Sequence, residues 1–170
     1  IPLQRGIDAA RRSGGTVVWC HNGWGRENLP NLLRERVDAQ NIFDGSQISS
    51  YKESFYPQLN LGLQVPFSTG TDWFMYDLSR VYVQLHGELS VGGWLEALSQ
   101  GRSVITNGPL LELRVTQGKG EGAEIGDTIQ ISKSTVLQVE ASGRGRIDFE
   151  RLEIVQNGRV VRSERTRSAS

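Results

Sequence analysis

Residues 16–22 read TVVWCHN and residues 67–73 read FSTGTDW, and the placement of these two stretches decides the fold. Each is a short β-branched or aromatic run leading to a metal-capable side chain, His21 in the first and Asp72 in the second. Strands that deliver an imidazole or a carboxylate from their C-terminal ends are how a parallel α/β barrel builds an active site. The continuous apolar run over residues 16–20 is the pattern of a parallel strand buried on both faces.

Upstream, Leu3, Ile7 and Ala10 recur at helical spacing with arginines on the other face, and Gly14-Gly15 ends that helix. Downstream, a short helix opens at Asn28 or Leu29, with Pro30 in its first turn and Leu29, Leu32, Leu33 and Val37 on one face. Residues 41–43 read as a short strand and residues 44–46 as a turn. Ser50 and Glu53 form a capping box, which opens a helix carrying Phe55, Tyr56 and Leu59. Residues 63–67 are a strand leading towards Asp72, and RVYVQL over residues 80–85 is another. Ser90 caps a helix that turns Trp94, Leu95 and Leu98 inward and closes at Gly101. Residues 103–106 are a further strand before the turn at Asn107-Gly108-Pro109. The alternation of helix and strand predicts an α/β layout with mostly parallel strands over residues 1–108.

The character changes at Pro109. Residues 110–115, 128–132, 136–141, 149–155 and 159–163 alternate apolar with polar side chains, and Asn157-Gly158 is a hairpin signal. Residues 109–170 therefore read as a small antiparallel, sandwich-like β unit with a frayed polar tail.

Of the 170 residues, 37% are hydrophobic and 22% charged, a globular composition with enough apolar material for a sizeable core. Nineteen basic residues balance nineteen acidic ones, so no long-range field favours nucleic acid or an anionic membrane. The longest apolar runs are about five residues, against the roughly 20 a membrane-spanning helix needs. Cys20 is the single cysteine, which leaves no internal disulfide. An opening at Ile1-Pro2, inside a helical pattern, reads as a fragment of a longer protein.

His21 suits a metal ligand or general base at a strand end, with Asn22 and Gly23 keeping the loop open; the alternative is a histidine packed between Trp19 and Trp24. Asp72 suits a metal carboxylate or base, and equally an Asx-turn or helix cap. His86 ends the strand over residues 80–85 and could face the same end of the sheet as a substrate-binding residue, the alternative being a surface histidine before Gly87; Arg80 could bind an anion, and Trp24 and Trp73 could line a substrate pocket. Phosphate-loop, dinucleotide-binding, nucleophile-elbow and Cys-x-x-Cys patterns do not occur in the sequence. Cys20 and His21 are adjacent on one strand and point to opposite faces, which argues against a Cys/His nucleophile pair.

In order, GGTVVWCHN (14–22), YPQLNLG (56–62), STGTD (68–72), RVYV (80–83), GRSVITNGPLLEL (101–113) and LEIVQNGRVV (152–161) resemble the CehA/McbA-like branch of the PHP metallohydrolases, nearly end to end. The resemblance implies the C-terminal part of a distorted seven-stranded (β/α) barrel followed by the β unit. It also implies a cluster of divalent metal ions (Zn, Mn or Fe) at the strand ends, acting on a small-molecule ester or phosphoester. By position His21 matches the histidine of a His-Pro motif and Asp72 the aspartate of an Asp-x-His motif. Asn22 replaces that proline, Phe74 replaces that histidine, and the early His-x-His motif is not in this sequence. The implied chain is thus short of ligands and inactive by itself, with weak or absent metal. The alternative is a non-catalytic relative that binds a ligand or serves as a structural module. Missing barrel strands would leave an open sheet edge and an exposed apolar face, which the chain would hide by forming a homo-oligomer or by repacking.

Overall fold

The structure is a computed structural model, and it describes residues 2–21, 27–43, 51–70, 79–118, 120 and 122–166. Helix α1 (Pro2–Arg12) stops where Gly14 takes the left-handed conformation that ends helices. Strands β1 (Val18–Trp19), β2 (Ala39–Phe43) and β3 (Phe67–Thr69) pair in parallel in the order β1-β2-β3. Strand β3 starts where the predicted strand was to end. Proline has no N–H to give, so Pro66 contributes only its carbonyl, which accepts from the Gln40 N–H at 2.9 Å, and the ladder starts at Phe67.

Helices α2 (Asn28–Leu33) and α3 (Tyr56–Asn60), the latter led in by a π-helical turn over Tyr51–Phe55, connect the strands. Ile7, Trp19 and Val37 bury as one cluster, and Ile42, Phe55 and Val65 as another. Leu32 packs against both clusters, and Phe55 meets Phe67 edge-on at 5.6 Å. Arg11 ties α1 to the link before β2. It donates to Asp38 Oδ1 and the Glu35 carbonyl, both at 2.8 Å, and Asp38 Oδ2 accepts from the Val17 N–H at 2.6 Å.

The buried face of α2 is the predicted one only in part: Leu32 packs inward and Val37, just past the helix, is buried. Leu29 and Leu33 are 42% and 60% exposed, whereas Asn28 and Asn31 are buried. Asn31 donates to the Glu27 carbonyl at 2.7 Å, and Asn28 turns inward because partners wait there. Asn28 Nδ2 donates to Gln40 Oε1 at 2.9 Å, Gln40 Nε2 to Gln58 Oε1 at 3.4 Å, and Gln58 Nε2 to Asn28 Oδ1 at 3.1 Å. This closed ring of three amides, each donating once and accepting once, makes a polar interior tolerable, since buried polar groups without partners are costly.

Strand β4 (Arg80–Val83) pairs antiparallel with β5 (Ser103–Thr106), which corrects the expectation of parallel strands in this part of the chain. Residues 84–90 lead away from the sheet, and α4 (Val91–Ser99) returns the chain to the end it left, where the Gln84 N–H meets the Arg102 carbonyl at 2.9 Å. The Ser90 hydroxyl caps α4 by accepting from the Gly93 N–H at 3.0 Å. Ala97 and Leu98 are buried, while Trp94 and Leu95 are half-buried.

Strand β6 (Leu110–Gln117) pairs antiparallel with β7 (Leu137–Arg144), and β8 (Arg151–Gln156) with β9 (Arg159–Arg165). Asn157 and Gly158 both have positive φ (52° and 75°), the two-residue turn that matches strand twist. Residues 128–132, predicted as a strand, form none. The other edge of β6 is taken by Ala123, which exchanges two 2.8 Å hydrogen bonds with Val115, and Ser132 closes a local turn with Thr135 instead. The result is a mixed α/β chain: a three-stranded parallel sheet with helices, then antiparallel hairpins. The described strands close no barrel.

Candidate functional site at the ends of the parallel strands

Parallel pairing sends β1, β2 and β3 out of the sheet at one edge. Strand β1 ends at Trp19, and the chain passes through exposed Cys20 to half-buried His21. His21 has φ 62°, a left-handed backbone that costs a residue with a β-carbon about 1–2 kcal/mol. Held strain of this kind at the mouth of a sheet fits a side chain that must be aimed. At the end of β2, the Phe43 carbonyl accepts from Thr69 Oγ1 at 2.7 Å and from the Gly70 N–H at 2.9 Å, which locks the exits of β2 and β3 together. The Asn41 amide lies against Gly70, close enough that a β-carbon there would sit 3.1 Å from Asn41 Nδ2.

Asp72, Trp24, Trp73 and Phe74 lie outside the described residues, as do Ser50 of the predicted capping box and Asp44. Asp72 follows β3 by three positions in sequence. Arg80 is exposed, opposite Thr106 in the β4–β5 ladder, and donates to the Ser79 carbonyl at 2.8 Å. His86 is also exposed, and it leaves the sheet by another route. Val83 faces Ser103, and Ser103 Oγ donates to the carbonyl of Phe67, the first residue of β3, at 2.8 Å. His86 therefore departs near the start of β3, whereas the candidate site lies past its end.

The amide ring escaped the sequence reading. Its members, Asn28, Gln40 and Gln58, sit 12 to 30 positions apart, so no local spacing marks them. Glu27 was also missed: its Oε2 is buried and finds no hydrogen-bond partner among the described residues.

A hard divalent cation is held by several protein ligands at once. Among the described residues no three His, Cys, Asp or Glu side chains gather in a way that could hold one, and His21 is the one such donor from the predicted pair that they include. The described donor set does not fit a metal centre by itself. Two open surface grooves lie elsewhere, one along Leu111 and residues 150–153, the other among Asp8, Arg11, Arg12 and Arg36. Among the described residues no helix is long and apolar enough to cross a membrane.

Compared with protein-family models, with curated proteins and with solved structures, the chain matches none.

Proposed function

We propose that the chain is the C-terminal part of a PHP-like metal-dependent hydrolase, acting within a longer parent protein on a small-molecule ester or phosphoester. In this reading the chain supplies the last strands of a distorted (β/α) barrel and an appended antiparallel β unit. The observation that carries it is the parallel order β1-β2-β3, which sends His21 and the segment after Thr69 out of one sheet edge. His21 and Asp72 are its metal-facing residues, and Trp24, Trp73 and Arg80 border the substrate. In this reading no chemical step belongs to this chain alone, and the remaining metal ligands come from elsewhere in the parent. The runner-up is a non-catalytic relative, favoured by Phe74 standing where the family motif places a histidine.

The test is hydrolysis of p-nitrophenyl phosphate and p-nitrophenyl esters by the parent protein with Zn²⁺ or Mn²⁺. The expected result is metal-dependent turnover that falls about 100-fold or more in His21→Ala and Asp72→Ala, as loss of a metal ligand requires. A folded parent with no metal-dependent hydrolysis would sink the enzyme reading in favour of the runner-up.

A further inference from the structure

The β8–β9 hairpin is a two-stranded ribbon, and β9 is exposed at all seven positions with no described strand on its outer edge. Two-stranded ribbons are marginal in water and gain from a cover. Val155, Val160 and Val161 are all more than two-fifths exposed.

The outer edge of β9 has a readable phase. The Thr166 N–H donates to the Glu150 carbonyl at 3.0 Å, and the ladder runs Arg151↔Arg165, Leu152↔Glu164, Glu153↔Ser163, Ile154↔Arg162. Hydrogen-bonded and non-hydrogen-bonded pairs alternate in an antiparallel ladder. Glu164 and Arg162 therefore turn their backbone groups towards β8, and Ser163 and Arg165 turn theirs outward. The register irregularity between Ile154 and Val155 leaves Val161 as the bulged residue and limits the regular edge to residues 162–165.

We infer that β9 pairs antiparallel with β9 of a second copy about a two-fold axis at Ser163. Only registers that match outward-facing residues with each other are allowed. Centring on Arg162 would set Arg162 against Arg162, and centring on Glu164 would set Glu164 against Glu164, a like-charge opposition in each case. Centring on Ser163 sets Arg162 of each copy opposite Glu164 of the other, twice over. Arg162 and Glu164 already form an ion pair within one chain, so they share a face and the dimer joins two such pairs into a four-charge network. The two outward Ser163 backbones exchange their N–H and carbonyl groups across the axis. This interface is independent of the hydrolase reading.

The test is sedimentation of the purified chain from about 1 to 100 μM, with circular dichroism confirming that every variant folds. The expected species is a dimer of twice 18.9 kDa. Glu164→Arg faces Arg162 with another arginine and should weaken the dimer at least tenfold. The double swap Arg162→Glu, Glu164→Arg restores opposite charges and should recover most of the loss. Ser163→Pro removes an outward N–H that serves no bond to β8 and should also give monomer. A chain that is monomeric throughout, forms higher oligomers, or dimerises equally well with Glu164→Arg overturns the inference, as does a double swap that restores nothing.

Discussion

His21 is the residue where backbone and proposed chemistry meet. Its φ of 62° belongs to a region that any β-carbon disfavours, so the strain can be measured apart from the imidazole. His21→Gly should be more stable than His21→Ala by about 1 kcal/mol in urea unfolding; equal stabilities would mean the left-handed conformation is not held in solution. Gln40 poses the opposite problem, a fully buried amide whose worth lies in its partners. Gln40→Leu strands a donor on Asn28 and an acceptor on Gln58 and should cost roughly 2–4 kcal/mol by the same measurement, since each buried group left unmade costs about 1–3 kcal/mol. Two surface carboxyls set an acid response. The Gln4 side-chain donor, with Arg36 beside it, holds Asp8 below the usual carboxylate range, and the Ser142 hydroxyl with Arg144 does the same for Glu112. Both are protonated less readily folded than unfolded. Their contribution is therefore present above about pH 4 and is lost as pH falls through the lowered folded values. Melting temperature against pH should fall less steeply below about pH 4 in Glu112→Gln than in the parent chain; an unchanged slope would contradict this.

At the scale of elements, the joint between α4–β5 and the loop after β6 rests on Gly126. It has φ 90°, and a β-carbon there would come within 2.9 Å of the Gln100 carbonyl and 2.8 Å of the Arg102 nitrogen. Both obstacles are backbone and cannot rotate away, so Gly126→Ala should destabilise by about 1–3 kcal/mol. A neutral result would mean the loop does not dock. Elements written in local code were legible in the sequence. Ser90 capping α4, the glycine stop after α1 and the Asn157-Gly158 turn each depend on a few adjacent residues, and each stands where it was read. Elements decided by distant partners were not. Leu29 and Leu33 were assigned to the inward face of α2, beside Leu32, because periodicity cannot see Gln40 and Gln58, and residues 128–132 alternate like a strand although Ala123 already occupies the β6 edge. The direction of β5 likewise depends on how far residues 84–90 travel before α4 turns back. His21 at a strand exit was legible from the apolar run before it, and the buried amide ring was not.

Over the whole molecule, a parallel sheet gathers strand exits at one edge, and antiparallel hairpins extend from it with much apolar surface uncovered. The proposal for this edge is that it holds part of a metal site whose other ligands lie in the parent protein. The most direct check is elemental analysis of the purified chain after incubation with Zn²⁺ or Mn²⁺ and desalting. A site with His21 and Asp72 as its ligands should retain clearly less than one ion per chain, because a hard cation needs more donors than these two supply. Stoichiometric metal that disappears in His21→Ala or Asp72→Ala would contradict the account, since it would make this chain a complete centre by itself.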